Sequence, residues 1–504
     1  MVEDAFCLIN ACEQRFPVHS WVIGEMHVWP LLRVNIFFRL LHAVTKDAQP
    51  AAAQRKGAFG RLSQVRSLIS HSLEYGAAAW RDRGHNASPD ATDVVILGDN
   101  TSRILINGVW YDRLCEPLIE VLAAKGIHCL HLEPKPVYRI PRSNSSRFIY
   151  PALELARLKS RMTHCDALPG GLEGYGEFLG YVTSRCPDIT VPSPDDLVRL
   201  AQQTIFQADY YEAVLRRLGP SLAFVVEYYY SGMAFTLACN RLNIPVVEVP
   251  HGNHGVTHIA YSRWKNIPGS GFNTHPAIFW CWTAQEADCI GAWARGGALP
   301  VPVIGGNPWL ERWLHGTDAL VSRYDRRVAE LKQRYPGERH ILLTYEFDME
   351  SAARLIETAP ASWRWWVRLH PCKLDSLPEV AKLFAQRGIG NIEIEQATSL
   401  PLYALLRQMD GHVTECSSVV IEADRFGVPS VVTTELGAGL FREQVATGSA
   451  RVISDNAGVV ARLCEAGRVT ASGGADESRF RQALDQILAY AATDVADRVR
   501  FSWH

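Results

Sequence analysis

The stretch from residue 412 to residue 434 constrains the fold most strongly, because it predicts a complete β-α-β unit. His412–Thr414 is predicted as a strand, Val419–Arg425 as a helix with one apolar face, and Ser430–Thr434 as a second strand. Gly427 supplies the helix stop between them. Two strands joined in this way run parallel with a right-handed crossover. The sequence therefore predicts an α/β fold with a parallel sheet.

Hydroxyl and imidazole side chains stand at two predicted strand ends. Ser417 and Ser418 lie where the helix begins, so their hydroxyls and nearby backbone N–H groups can surround an anion. His370 ends the apolar run Trp365–Leu369, and Pro371 stops that strand because proline has no N–H for a sheet ladder. Open α/β sheets bind ligands at such strand ends. We expect the two strands to be neighbours and to share a phosphate site, although serine capping and a proline stop are also ordinary structural features.

At these residues the chain resembles a known group of enzymes. An R-x-H-P strand end followed by a T-x-x-S-S helix start is similar to the paired motifs of bacterial sialyltransferases and Kdo transferases. Those are GT-B glycosyltransferases that use CMP-activated sugars. The resemblance implies that His370, Ser417 and Ser418 bind the nucleotide phosphate, and that Pro371 also belongs to the nucleotide-binding site. Teichoic-acid polymerases that use CDP-glycerol carry a similar pair, so the resemblance favours a cytidine nucleotide more firmly than a particular sugar.

Two further acidic residues are predicted near the nucleotide. Glu346 follows the predicted strand His340–Thr344, and Glu422 is predicted to contact the ribose. The alternative for Glu422 is a polar position on a mostly buried helix. Glu415 and Glu422 are seven positions apart, whereas the E-x7-E pattern of many retaining GT-B enzymes needs eight. This departure weakens the case for a UDP-sugar or GDP-sugar donor.

The catalytic candidates follow three apolar strands in the first half of the chain. Glu227, His251 and Asp99 each stand at a predicted strand end, so a parallel sheet would gather them in one cleft opposite His370. Glycosyl transfer needs a base for the acceptor hydroxyl, and we rank Glu227 first because its strand is wholly apolar. In a retaining enzyme Glu227 or Asp99 would instead be the nucleophile. His251 also resembles the H-G segment that precedes a tyrosine, here Tyr261, in many polysaccharide glycosyltransferases.

Metal is not expected. His251, His254 and His258 lie in one loop, but the loop lacks Cys or Asp partners and a helical histidine pair with an adjacent Glu. The twelve cysteines form no C-x-x-C pair, which indicates neither a zinc site nor a disulfide scaffold and fits a reducing cytoplasm. The near-neutral net charge of −2 gives no reason to expect nucleic acid.

Length and pattern together predict the domain order. A chain of 504 residues is too long for one core. We expect an N-terminal helical segment (1–90), a Rossmann-like acceptor domain (91–330), a Rossmann-like nucleotide-binding domain (331–475) and C-terminal helices (476–504). This is a GT-B fold, with its two domains facing each other across a cleft.

The apolar segment 25–44 has two interpretations. It packs on the next domain, or it lies on a membrane surface; packing is favoured because stable anchoring needs more basic residues. The N-terminus lacks the basic region of a signal peptide, and apolar runs are broken before they reach membrane-spanning length. We therefore expect a cytoplasmic protein, with peripheral contact at the inner face of the cytoplasmic membrane as the alternative.

The sequence as a whole predicts a glycosyltransferase. It would transfer a Kdo-like or sialic-acid-like ulosonate from a CMP-sugar to a glycan or glycolipid acceptor of a bacterial surface polysaccharide, without a cofactor. Two alternatives remain open. One is a polyol-phosphate transferase that uses a CDP-alcohol, and the other is a non-catalytic nucleotide-binding protein of GT-B fold.

Overall fold

The chain folds into two parallel sheets covered by helices, and the two sheets face each other across a cleft. The computed structural model describes residues 2–45, 60–85, 89–163, 171–252, 255–294, 300–316, 318–345, 348–468 and 477–503. This is the α/β, GT-B architecture predicted from the sequence, with the helical N-terminal region that was also predicted. The domain boundaries themselves remain predictions.

The helices and strands are numbered in chain order. The helices are α1 Val2–Arg15, α2 Trp29–Thr45, α3 Gly60–Arg81, α4 Glu116–Ala124, α5 Tyr150–Met162, α6 Tyr175–Arg185, α7 Pro194–Leu218, α8 Ser231–Arg241, α9 Ala284–Gly291, α10 Pro308–His315, α11 Ala319–Arg334, α12 Met349–Thr358, α13 Leu377–Gln386, α14 Glu395–Ser399, α15 Leu402–Leu406, α16 Val419–Arg425, α17 Glu435–Leu440, α18 Arg442–Thr447, α19 Asn456–Glu465 and α20 Glu477–Ala492. The strands are β1 Val22–Ile23, β2 Met26–His27, β3 Val94–Leu97, β4 Arg103–Ile106, β5 Val109–Asp112, β6 Cys129–Glu133, β7 Arg147–Phe148, β8 Leu222–Val226, β9 Val246–Val249, β10 Ile278–Cys281, β11 Val301–Ile304, β12 His340–Thr344, β13 Arg364–Val367, β14 Ile392–Glu393, β15 Gly411–Thr414, β16 Ser430–Val432 and β17 Ala450–Val452.

The first sheet has the order β11-β10-β9-β8-β3-β6-β7, and its strands are parallel. The chain runs from β3 outward through β6 to β7, then returns to the other side of β3 at β8. The strand order therefore reverses between β3 and β8, and a crevice opens at the carboxyl ends of such a pair. Asp99 follows β3 and Glu227 follows β8, so both candidates lie at this reversal.

The second sheet has the order β14-β13-β12-β15-β16-β17 and is also parallel. Its strand order reverses between β12 and β15. The predicted unit of strand, helix and strand is present as β15, α16 and β16, and Gly427 takes the left-handed φ of 66° that ends α16. The strands of this sheet are short and apolar because helices cover both faces.

A hairpin extends from the first domain toward the second. Strands β4 and β5 pair antiparallel around Asn107 and Gly108, and both turn residues have a positive φ, as a tight hairpin turn requires. Tyr111 and Asp112 belong to β5, and the following helix begins at Glu116. Residues 109–112 are therefore strand and not part of the following helix, because the turn at Asn107–Gly108 makes Tyr111 pair with β4.

The N-terminal helices contribute to the core of the first domain. The apolar side chains of α1, α2 and the turn between them are buried in the same cluster as β3, β6 and β8. A buried ion pair links the two helices, with Arg33 Nε 2.8 Å from Glu13 Oε1, and Arg33 Nη2 also donates to the Ser262 carbonyl at 2.9 Å. The buried side chains of Trp29, Leu32, Val34, Ile36 and Phe37 thus pack on the next domain, as the favoured interpretation predicted.

We expect Trp29→Phe to destabilise this core measurably. Trp29 is fully buried, and its indole N–H donates to Glu13 Oε1 at 2.8 Å. A hydrogen bond to a charged group contributes about 1.5–3 kcal/mol, and phenylalanine cannot make it. Urea unfolding should show a lower midpoint for Trp29→Phe. Trp80→Phe is the matched control because Trp80 is 71% exposed, and its midpoint should not move; equal midpoints for both variants would contradict the account.

Other helices connect the two domains. Phe480, Leu484 and Ile487 of α20 pack on the first sheet, while α10 and α11 pack against the second. None of the helices in the described ranges combines the length and apolar character needed to span a bilayer.

Candidate functional site

Both domains line one cavity, which we call the cleft cavity. It lies at the carboxyl ends of the strands of both sheets and has a volume of about 860 Å³ including its open mouth. From the first domain it receives side chains of the segment that carries the hairpin, and from the second domain it receives residues that follow β12, β13 and β15. Its polar lining is formed by Thr101, Ser102, Arg113, Thr344, Tyr345, Arg368, His370, Tyr403, Ser417, Ser418 and Glu422.

The predicted phosphate-binding side chains are all in this lining. His370, which is exposed, lies after β13, and Ser417 and Ser418 lie between β15 and α16. Ser418 occupies the N-cap position of α16 but makes no side-chain capping hydrogen bond. The capping role considered from the sequence is therefore not observed for Ser418, and its exposed hydroxyl is directed to the cavity instead.

His370 and the serines were expected on neighbouring strands, but the strands that carry them are not adjacent in the sheet. Strand β12 lies between β13 and β15, and its end contributes Thr344 and Tyr345 to the cavity. The sequence could not reveal this because the chain order of strands does not give their order in a sheet. The candidate phosphate site therefore lies at the reversal of strand order between β12 and β15, where open sheets bind ligands.

Two arginines supply positive charge to the cavity wall. Arg368, the first residue of the R-x-H-P motif, donates to the carbonyls of Ala397 and Leu400 at 2.6 and 2.7 Å, which fixes its guanidinium. Burial lowers the pKa of Arg368 to about 10, so it stays charged at neutral pH. Arg113 comes from the first domain, directly after β5, and its side chain is 29% exposed. Together the arginines suit an anionic ligand.

Glu422 joins the two domains within the cavity. Tyr403 Oη donates to Glu422 Oε1 at 2.8 Å, and Arg113 Nη1 lies 3.6 Å from the same oxygen. Burial raises the pKa of Glu422, although the charge of Arg113 and the hydrogen bond from Tyr403 oppose this shift. The carboxylate is thus held at the cavity wall by groups from both domains.

In the first domain, Asp99 and Glu227 both pair with the ammonium group of Lys135. Lys135 Nζ lies 2.9 Å from Asp99 Oδ2 and 3.2 Å from Glu227 Oε2. Lys135 follows β6, the neighbour of β3, so three adjacent strand ends meet here. Thr101 links this group to the cleft cavity, because its backbone N–H and hydroxyl donate to Asp99 Oδ1 at 2.9 and 2.7 Å and its side chain lines the cavity.

The backbone at Glu227 is held in an uncommon conformation. Glu227 has a φ of 63° and Tyr230 a φ of 52°, although neither is glycine. The turn is tight, since a Cβ on Gly232 would lie 2.3 Å from the Glu227 carbonyl oxygen. Strained backbone of this kind costs free energy and persists only where the surrounding structure holds it. Such positions are concentrated at functional sites. The turn fixes the direction in which the Glu227 carboxylate leaves the strand.

His251 lies at the neighbouring strand end, after β9. Its Nε2 is 3.2 Å from the Tyr229 hydroxyl, which belongs to the same turn as Glu227. Burial lowers the pKa of His251, and the charges of Glu227 and Asp99 act in the opposite direction. The three catalytic candidates are therefore close in space, with Asp99 and Glu227 joined through Lys135 and His251 beside them.

We expect Lys135→Met to raise the pKa of Asp99. Burial raises the pKa of Asp99, but the charge and hydrogen bond of Lys135, together with two hydrogen bonds from Thr101, outweigh it and hold the pKa below its usual value. Without Lys135 only the Thr101 hydrogen bonds oppose burial, so the pH at which Asp99 takes up a proton should rise. Carbon-13 NMR of labelled aspartates would measure this titration. Lys125→Met, which removes an exposed lysine paired with Asp485, should leave the Asp99 titration unchanged. An unshifted Asp99 titration in Lys135→Met would refute the proposed coupling.

Some predicted positions remain undescribed, and others were missed. Glu346 lies outside the described residues, and for Pro371 only the backbone is described, in a short 3-10 helix over 371–376. Sequence analysis missed Lys135, Arg113 and Tyr403. The rule that selected Asp99 and Glu227 would have selected Lys135, because it also follows a buried strand.

Comparison with known proteins shows no close relative. No protein-family model matches the sequence, and no curated protein matches it. Among solved structures, UDP-GlcNAc 2-epimerase of Methanocaldococcus jannaschii in complex with UDP-GlcNAc and UDP is 14% identical, with a TM-score of 0.48 over 79% of this chain and 99% of that one. The enzyme of that name from Neisseria meningitidis, bound to UDP-GlcNAc, is 12% identical, with a TM-score of 0.45 over 79% and 99%. The glycosyltransferase SnogD from Streptomyces nogalater is 14% identical, with a TM-score of 0.36 over 81% and 98%. Similarities of this size assign neither a substrate nor a reaction.

Proposed function

We propose that the protein is a glycosyltransferase that takes its sugar from a CMP-activated donor. The second domain binds the nucleotide in the cleft cavity, and the first domain supplies the groups that act on the sugar and the acceptor hydroxyl. The observation that carries the proposal is the shared cavity, in which His370, Ser417 and Ser418 meet Arg113 from the opposite domain. The donor sugar is a Kdo-like or sialic-acid-like ulosonate, and the acceptor is a glycan or glycolipid of a bacterial surface polysaccharide.

Binding of the phosphate is supported by the donors around the cavity. A phosphate oxygen accepts hydrogen bonds from hydroxyl, imidazole and guanidinium groups, and Ser418, His370 and Arg113 provide one of each. Negative charge grows on the leaving CMP phosphate as the glycosidic bond breaks. Donors that are already oriented in the cavity stabilise that charge. No cofactor or metal is proposed for this step.

Glu422 is proposed to bind the ribose. A carboxylate accepts hydrogen bonds from a pair of ribose hydroxyls, and Glu422 is oriented for this by Tyr403 and Arg113. The apolar side chains of Leu369, Leu402 and Val419 line the same cavity and offer a surface for the base.

Glu227 is proposed as the base for the acceptor hydroxyl. Lys135 Nζ lies 3.2 Å from Glu227 Oε2 and positions this carboxylate, and a positioned carboxylate can take the proton of the acceptor hydroxyl. Asp99 shares that ammonium and His251 contacts the adjacent Tyr229, so both help to position the base. In a retaining reaction the Glu227 carboxylate would attack the sugar instead, from the same position.

Isothermal titration with CMP, CDP, UDP and GDP tests the proposal. We expect CMP to bind best, and we expect the protein to transfer sugar from a CMP-sugar to a glycan acceptor. Preference for CDP together with transfer from CDP-glycerol would favour a polyol-phosphate transferase. Preference for UDP would overturn the cytidine assignment, and binding without any turnover would favour a non-catalytic nucleotide-binding protein.

A further inference from the structure

A buried cluster of three metal-ligating side chains lies behind the cleft cavity. Asp112 is the last residue of β5, Cys115 precedes α4 and His131 is the middle residue of β6. Their exposed fractions are 0%, 1% and 1%, and the carboxylate, thiol and imidazole atoms that face one another lie within 4.8 Å. Residues from three separate elements therefore bring a sulfur, a nitrogen and an oxygen to one point.

The polar atoms of this cluster lack the hydrogen bonds that burial normally requires. Asp112 Oδ1 accepts from the Ser102 hydroxyl and from the backbone N–H groups of Leu114 and Cys115, at 2.8, 2.9 and 3.0 Å. Asp112 Oδ2 and both ring nitrogens of His131 have no hydrogen-bond partner among the described residues. The distance from His131 Nε2 to Asp112 Oδ2 is 3.6 Å, which is too long for a hydrogen bond. Unsatisfied buried groups of this kind are rare in folded proteins and call for a partner.

The charges around the cluster also leave room for a cation. Four buried carboxylates surround two buried arginines, so the group carries two more formal negative charges than positive ones. The carboxylates are Asp82, Asp112, Glu116 and Glu133, and the arginines are Arg103 and Arg142. Buried charge that is not compensated is strongly unfavourable. A divalent cation at Asp112 would offset most of this excess, although the Cys115 thiolate that binds it adds one further negative charge.

We propose that Asp112, Cys115 and His131 bind a zinc ion that holds the base of the β4–β5 hairpin. Zinc takes Cys, His and Asp ligands at about 2.3, 2.0 and 2.1 Å, so tetrahedral ligand atoms lie about 3.4–3.6 Å apart. The observed separation of 3.6 Å between His131 Nε2 and Asp112 Oδ2 agrees with that spacing. Three protein ligands leave one tetrahedral position for another ligand.

An ion at this position would stabilise part of the wall of the cleft cavity. Arg113 directly follows the ligand Asp112, and Ser102 donates to the same carboxylate; both line the cleft cavity. The ion would therefore fix the segment that presents these residues. The sequence-based expectation of no metal considered the histidine loop and C-x-x-C pairs, and it could not detect ligands that come together only through the packing of α4 beside β6.

Cobalt(II) spectroscopy on the purified full-length chain tests the proposal. Cobalt replaces zinc and gives a near-ultraviolet charge-transfer band only when a thiolate is a ligand. We expect about one equivalent of cobalt to produce that band, and zinc to displace it. Cys115→Ser should abolish the band, and His131→Ala should weaken cobalt binding at least about tenfold.

Two neighbouring residues provide matched controls. Cys129→Ser changes a thiol on β6, the strand that carries His131. His128→Ala removes the imidazole of the preceding residue, whose side chain is 87% exposed. Both variants should keep the band. A wild-type protein without the band would overturn the proposal, even if the Cys115 and His131 variants fail to fold. A band that persists in Cys115→Ser would overturn it as well.

Discussion

Glu227→Gln should bind CMP normally yet transfer sugar at least about a hundredfold more slowly, which is the lower range for loss of a general base. The amide keeps the size of the side chain but cannot take the proton of the acceptor hydroxyl. Nucleotide affinity should persist because Glu227 contacts Lys135 at the first sheet, whereas the phosphate donors His370, Ser417 and Ser418 lie at the second sheet. Calorimetric titration and initial rates with a CMP-sugar would measure the two effects separately.

Glu177→Gln is the matched control for this prediction. It makes the same chemical change at an exposed position on α6 of the same domain, and it should change neither quantity. Asp99→Asn and His251→Ala complete the comparison, because the largest rate effect identifies the base. Normal turnover in Glu227→Gln would transfer the role to one of these two residues. A loss of CMP affinity in Glu227→Gln would contradict the proposal that the second domain binds the nucleotide and the first domain acts on the sugar and the acceptor.

His370→Ala and Ser418→Ala should each weaken CMP binding by about ten- to a hundredfold. A hydrogen bond to a charged group contributes about 1.5–3 kcal/mol, and each 1.4 kcal/mol is a tenfold change in affinity. The fold should remain intact because both side chains are exposed at the cavity and Ser418 does not cap its helix. Titration calorimetry gives the affinities, and thermal melting checks the fold.

Ser362→Ala controls for the loss of an exposed hydroxyl in the same domain. Ser362 donates to Glu338 at 2.8 Å and does not line the cleft cavity, so CMP affinity should be unchanged. Unchanged affinity in both His370→Ala and Ser418→Ala would refute the proposed phosphate site.

The local parts of this fold could be predicted from the sequence. The strand His340–Thr344 and the helix Val419–Arg425 have the predicted bounds. Short apolar runs with Gly, Pro or polar residues at both ends determine such elements through neighbouring residues alone. The rule that ligands bind at the carboxyl ends of parallel strands then gave Asp99 and Glu227 before any spatial information was available.

The contacts between distant segments could not be predicted. Lys135 meets Glu227 because β3 lies between β6 and β8, and Arg113 meets Glu422 because the hairpin reaches across the cleft. Both contacts depend on strand order and domain placement, which a single sequence does not encode in local periodicity. The same reason explains why β12 was not expected between the strands that carry His370 and Ser417.

The most direct test of the central claim is a paired calorimetric titration of CMP and cytidine into the full-length protein. The claim is that His370, Ser417 and Ser418, together with the arginines of the cleft cavity, hold the phosphate of a cytidine nucleotide. Removing the phosphate removes every one of these contacts while leaving the base and ribose in place. We predict that CMP binds at least about tenfold more tightly than cytidine, since one charge-assisted hydrogen bond already accounts for that factor. Equal affinity for the two ligands, or no binding of either, would contradict the account.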